Sequence, residues 1–129
     1  VSEVLIKANG GQTAKEGTFL TGLYYSYTGD KAKAIAYFDQ CMAMDYTFMP
    51  AYLEKAVAYY DQAQFAEASQ VLEKAITIQN TYDEGYYWLG RCYEKLNRPG
   101  DAIEQYRTAL AYSPDYTEAQ EALKRLGAN

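Results

Sequence analysis

The chain has 129 residues, 49% of them hydrophobic, and a net charge of −5 from 12 basic and 17 acidic side chains. That length suits a single domain with a substantial core, and no apolar run reaches the 18 or so residues that a membrane-crossing helix needs. The basic residues are scattered among acidic ones, so they form no stripe for tracking nucleic-acid phosphates.

There is no histidine, which removes His-dependent triads, His metal sites and the commonest general base at neutral pH. Cys41 and Cys92 lie far apart with no CxxC spacing, so they read as small buried residues and not as zinc ligands or a redox pair. Free thiols lean towards a reducing, cytoplasmic setting. A start at Val1 and not at methionine leaves a removed leader or a periplasmic location open.

Taken in chain order, residues 1–14 come first. "VLIKA" at 4–8 resembles "VLEKA" at 71–75, and "EG" at 16–17 matches "EG" at 84–85 with one residue fewer between. The segment reads either as the end of a preceding repeat, cut from a longer array, or as a short N-terminal cap. Gly10-Gly11 reads as an inter-helix turn and lacks the Lys-Ser/Thr pair of a phosphate loop.

From residue 15 the sequence repeats with a period of 34. Gly22, Ala56 and Gly90 share a column; so do Tyr25, Tyr59 and Tyr93, and Ala34, Ala68 and Ala102. Phe38, Leu72 and Tyr106 form a fourth column, and Cys41, Ala75 and Ala109 a fifth. Three units follow, 15–48, 49–82 and 83–116, each reading as two helices. In the third, Tyr86, Leu89, Gly90 and Tyr93 share one helix face, and Ala102, Tyr106 and Ala109 form the stripe of a second helix.

Gly29 and Asn97 suit the left-handed conformation that ends a helix, and Ala63 in the same column suits it less. Pro99 and Gly100 fit a turn or the start of the second helix, and Pro114 marks its end. A glycine inside a helix costs about 1 kcal/mol relative to alanine. Gly90 is therefore expected to serve close packing, with bulky residues of the paired helix filling the space. Residues 117–129 carry one more apolar stripe, Ala119, Ala122, Leu123 and Leu126. Gln120, Glu121, Lys124 and Arg125 are expected to face elsewhere, as in a solvating cap.

"YYWLGRCY" at 86–93, with Ala102, Tyr106, Ala109 and Pro114, resembles a tetratricopeptide repeat, whose signature runs W-x2-L-G-x2-Y, then A-x3-F, then P. Tyr86 stands at the Trp position. In the second repeat Lys55 replaces Leu and Asn80 replaces Pro. In the first, Thr18, Thr21 and Tyr46 depart from the pattern. The resemblance covers about 102 of the 129 residues. It implies an all-α helical-repeat solenoid of three helix pairs with a C-terminal capping helix.

No enzyme chemistry and no cofactor are expected. Glu67, Glu73, Glu94, Glu104 and Glu121 read as single carboxylates on solvated helix faces, and the 15 tyrosines mostly as core. The resemblance implies a concave face lined by the first helix of each repeat. Its partner-binding residues would be Phe19, Leu23 and Tyr27, then Leu53, Val57 and Tyr60, then Tyr87, Arg91 and Lys95, with Glu16, Ser26, Pro50, Asp61, Glu84 and Glu94 beside them. Positions that form a cationic carboxylate clamp in some members carry Phe19, Leu23, Glu54, Glu84 and Trp88, so an acidic tail would be repelled. The expected role is a scaffold binding a protein or peptide segment through apolar anchors. The alternative is an assembly module that packs the same face, or its N-terminal edge, on another subunit, a second copy or the rest of a longer chain.

Overall fold

The computed structural model describes residues 11–128. Seven helices follow one another, with no strand among the described residues: α1 (Gly11–Tyr27), α2 (Lys31–Met44), α3 (Met49–Asp61), α4 (Phe65–Ile78), α5 (Asp83–Lys95), α6 (Pro99–Tyr112) and α7 (Thr117–Arg125). The chain divides into two compact units, Val1–Gln62 and Ala63–Asn129. The resemblance of residues 4–8 to a late second helix lies outside the described residues. Gly11, expected in a turn, is instead the first residue of α1.

In the first unit α2 packs on both α1 and α3, and α1 also touches α3. Ala34, Phe38 and Cys41 of α2 and Ala51 of α3 are fully buried, with Phe19, Leu23, Tyr25, Met42 and Phe48 against them. In the second unit α5 packs on α4 and α6, and α6 on α7. The helix ends explain why the chain turns where it does. Gly29, Ala63 and Asn97 all take left-handed backbone, with φ of 96°, 60° and 62°. At Gly29 and Asn97 the following N–H then reaches back into the helix, Asp30 to Tyr25 O at 2.9 Å and Arg98 to Tyr93 O at 2.8 Å, the closed ending that such a residue permits.

Close packing is the reason for the helical glycines. A Cβ at Gly22 would lie 2.6 Å from Cε1 of Phe38, and one at Gly90 would lie 2.7 Å from Cε1 of Tyr106. Both distances are inside contact, so only a hydrogen lets the aromatic ring of the second helix seat against the first. The same rule explains Gly85, whose Cβ would meet Ile76 of α4 and Tyr82 at 2.9 Å each.

Departures from the repeat have local explanations. Thr18 and Thr21, at positions where the pattern has an aromatic and a Leu, are buried, and each hydroxyl donates to a carbonyl one turn back, Ala14 O and Gly17 O. Those bonds satisfy groups that burial would otherwise leave unpaired. Lys55 of α3, in the Leu column, ends on Asp39 of α2 at 2.7 Å. Tyr, standing for Trp, gains a use: Tyr52 donates its hydroxyl to Tyr46 O and Tyr86 to Asn80 O, each at 2.8 Å. One period later Gln120 Nε2 makes the equivalent bond to Pro114 O at 2.7 Å.

Two substitutions test this account. Gly90→Leu is expected to overpack Tyr106 and to lower stability by about 1–3 kcal/mol in urea unfolding. Ala63→Gly should raise stability by about 0.5–1 kcal/mol, because it relieves the steric cost of a left-handed non-glycine residue, roughly 1–2 kcal/mol, which exceeds the cost of glycine's greater chain entropy.

Candidate partner-binding surface

Six of the nine expected binding residues lie in the first unit. Phe19 is only half-buried, but its ring is committed to the core: its centroid is 5.7 Å from that of Phe38 and 5.3 Å, edge-on, from that of Phe48. Leu23 also packs on this cluster. Leu53, Val57 and Tyr60 of α3 are half-exposed and, at i, i+4 and i+7, share one face of the helix. Tyr27 is 86% exposed. Leu20 and Tyr24, which the sequence reading did not single out, are also mostly exposed and stand with Tyr27 at the same spacing on α1. Polar links frame the unit: Lys31 Nζ reaches Asp61 at 3.3 Å, and Lys15 reaches Asp45 at 2.9 Å. The Asp45 carboxyl, held by Thr47 and Lys15, titrates down to about 2.

Tyr87, Arg91 and Lys95 lie in the second unit. Tyr87 repeats the geometry of Phe19 two periods earlier, with its ring 5.7 Å from Tyr106 and 5.1 Å from Tyr116. Arg91 stacks over Trp88 at 4.4 Å from the ring centre, and the Lys95 ammonium is 6.0 Å from the ring of Phe65. Two carboxylates expected to stand single have partners, although Glu73 remains exposed. Glu73 accepts the Tyr93 hydroxyl at 2.7 Å. Glu94 accepts the buried Tyr106 hydroxyl and takes both guanidinium nitrogens of Arg125 at 2.7 and 2.9 Å. Arg125 therefore does not simply face solvent; it ties α7 to α5 by a two-point bond of the strongest kind for this pair.

The titration shifts follow from these contacts. Arg125 and the Tyr106 hydroxyl hold the Glu94 carboxyl below its ordinary value, against a smaller opposing effect of burial. Burial and the bond to Glu94 push the Tyr106 hydroxyl up. Burial, then the bond to Glu73, raises Tyr93 to about 12. Burial also raises the two thiols, Cys41 to about 11 and Cys92 to about 12, so both are protonated at neutral pH and unsuited to nucleophilic attack. Among the described residues no group of three or more His, Cys, Asp or Glu is placed to hold a metal, and no helix is long and apolar enough to cross a membrane.

Two family models, each described as tetratricopeptide repeat, match residues 19–83 and 61–126. The chain belongs to the tetratricopeptide repeat family. Its fold is the all-α repeat solenoid of solved tetratricopeptide structures. The first such domain of human RPAP3 is 22% identical with a TM-score of 0.83, over 91% of this chain and 92% of that one. The tetratricopeptide domain of Arabidopsis OM64 is 25% identical with a TM-score of 0.81, over 88% of this chain and 94% of that one. The first domain of Spaghetti (RPAP3), solved with an HSP90 peptide SRMEEVD, is 22% identical with a TM-score of 0.80, over 88% of this chain and 90% of that one.

Within a tetratricopeptide frame two contributions escaped the sequence reading. The first is an aromatic column, Phe48, Tyr82 and Tyr116, each the residue just before a first helix. These rings hold Phe19 and Tyr87 in place at 48 and 116, and their 34-residue spacing was visible in the sequence. The second is α7. Glu118, Glu121 and Arg125 stand one period after Glu84, Tyr87 and Arg91, so the capping helix supplies the same face as the first helix of a further repeat. Together with Tyr87 and Ala122 they line a groove of about 310 Å³.

Replacing Glu94 by Gln should cost about 1–3 kcal/mol at neutral pH, since it weakens the Arg125 bond and the partner of a buried hydroxyl. The folded-state value of Glu94 is depressed, so its stabilisation is present above the ordinary value of 4.5 and is lost as pH falls through the depressed one. The stability gap between wild type and Glu94→Gln should therefore narrow in unfolding curves recorded at progressively more acid pH.

Proposed function

We propose that this chain is a non-catalytic scaffold that holds an extended or helical segment of another protein against the first helices of its repeats. The observation that carries the reading is the half-exposed apolar face of α3, Leu53, Val57 and Tyr60, beside α1, which touches it and adds Leu23 and Tyr27. Repeat proteins of this family are generally interaction modules, and concave first-helix surfaces are how such solenoids bind. Anchors of this kind dock apolar side chains of a segment. The partner differs from the acidic peptide SRMEEVD held by the Spaghetti domain. Here the clamp positions carry Phe19, Leu23, Glu54, Glu84 and Trp88; none is cationic and two are acidic. Within the first unit Phe19 acts mainly as the floor beneath this surface; within the second Tyr87 is likewise packed inward, and Arg91 and Lys95 offer polar groups on the same helix.

A second reading, assembly, is favoured by the outer stripe of α1. Leu20, Tyr24 and Tyr27 are 53, 61 and 86% exposed. Tyr24 shares its column with Ala58 and Cys92, both fully buried, so this is a position that the rest of the repeat pattern covers. A neighbouring repeat, another subunit or a second copy would bury it.

The test is Leu53→Ser with Tyr60→Ser, leaving Phe19 intact because it belongs to the core. A partner captured by the wild type with micromolar affinity, roughly −8 kcal/mol, should bind the variant at least tenfold more weakly in titration calorimetry. Undiminished binding would refute the surface. A stable oligomer in sedimentation equilibrium that Tyr24→Ser dissociates would establish the assembly reading instead.

A further inference from the structure

We infer that the outer stripe of α1, Leu20, Tyr24 and Tyr27, is a self-association surface that packs on the same stripe of a second copy of this chain, with the two α1 helices antiparallel across a two-fold axis. The inference rests on the assembly reading and assigns the stripe one occupant. Where a second helix precedes a first helix, it packs there, α2 on α3 and α4 on α5. The residues of the Tyr24 column on those first helices, Ala58 and Cys92, are fully buried. On α1 the column holds a tyrosine that is 61% exposed, between Leu20 at 53% and Tyr27 at 86%.

Size and charge select a second copy. The column is small, alanine or cysteine, where a second helix of the protein lies against a first. A tyrosine there would hold such a helix off, so a repeat stacked in the ordinary way does not fit this face. Contact with the last helix of another copy would lay uncharged side chains on Glu118, Glu121 and Lys124, all exposed, and desolvate those charges without matching them. The stripe is matched by itself. Antiparallel packing sets Leu20 against Tyr27 of the second copy. It also brings the two Tyr24 rings together beside the axis, in the offset or edge-on contacts that aromatic pairs prefer. Parallel packing would instead set the exposed Glu16, one turn before Leu20, against its own counterpart. With about 200 Å² for a tyrosine, the three residues offer roughly 350 Å² per copy, the size of the largest apolar patch on a typical monomer. Doubled, that area lies at the low end of specific interfaces, so the dimer is reversible, and its two-fold symmetry closes it against further growth.

The test is sedimentation equilibrium of the full chain over a concentration series. A monomer–dimer equilibrium in the micromolar range is expected, with no larger species, and Tyr24→Asp and Leu20→Ser should each raise its Kd at least tenfold. Both positions are exposed, and unchanged helical circular dichroism would show the variants folded. Leu53→Ser/Tyr60→Ser, on α3, should dimerise like wild type. Orientation is read from a nitroxide attached to Glu16→Cys, since Cys41 and Cys92 are buried. Antiparallel helices crossing near Tyr24 place the two labels more than about 20 Å apart, at 1.5 Å of rise per residue. Labels about 10 Å apart, the separation of helices packed in parallel, would overturn the two-fold arrangement, as would growth beyond a dimer. A wild type that stays monomeric throughout would overturn the second copy alone and leave the stripe to another subunit. A dimer indifferent to Tyr24→Asp would overturn this inference and the assembly reading together.

Discussion

The seating of an aromatic ring against a glycine governs the rest of the structure. At Gly22–Phe38 and again at Gly90–Tyr106 the paired helices come so close that a single methyl group would enter the ring. A helix tolerates a glycine reluctantly, and the close approach offsets that cost through dispersion contacts along the whole helix pair. Everything placed by the ring then inherits its position. In the second unit the ring carries a hydroxyl, and that hydroxyl reaches Glu94. Glu94 in turn fixes Arg125, and Arg125 draws α7 onto α5. Phe38 has no hydroxyl, and the first unit has no counterpart of this chain; at the position matching Glu94 it has Ser26, which accepts from Lys31. The polar linkage thus belongs to the second unit, where it ties α7 to α5.

The aromatic residues divide by depth, which decides which of them can recognise anything. Phe19 and Tyr87 occupy one column and make matching contacts, with ring planes inclined at 47° and 48° to Phe38 and Tyr106. Their faces are largely used by the protein itself, supported from the other side by Phe48 and Tyr116. Leu23 and Tyr27, and likewise Arg91 and Lys95, four and eight places further along their helices, retain accessible surface. On the proposed scaffold reading, a rigid floor beneath exposed anchors would limit the side-chain entropy lost on binding, and the core-facing aromatics would serve recognition indirectly, by holding the backbone of the surface still.

Much of this was legible in the sequence because a repeat states each rule more than once. The period of 34, the helix pairs, the close-packing glycines and the left-handed column at Gly29, Ala63 and Asn97 follow from residue size and backbone preference alone. Ala63 shows the limit of local preference: alanine disfavours φ of 60°, yet tertiary packing imposes it. Partners across helices were less visible. Nothing in the spacing of Glu94, Tyr106 and Arg125 announces a bond, since it joins three helices and depends on a ring position that only the packed structure defines. The same holds for Lys55 and Asp39. Phe19 looked like a surface anchor by column, and only the position of Phe48, in the connection before α3, turns it into core.

The chemistry of the two units differs in a way that the shared fold does not require. Both present first-helix positions of the same repeat, yet the first unit offers leucine, valine and tyrosine there, whereas the second offers glutamates and arginines around tyrosine and tryptophan. Packing constrains the glycine, alanine and aromatic columns and leaves the outward positions free to vary. Those positions are therefore where side chains can change without disturbing the fold. On the proposed scaffold reading, the apolar positions of the first unit would contribute affinity through burial of area, and the charged positions of the second unit would contribute discrimination by repelling like charges.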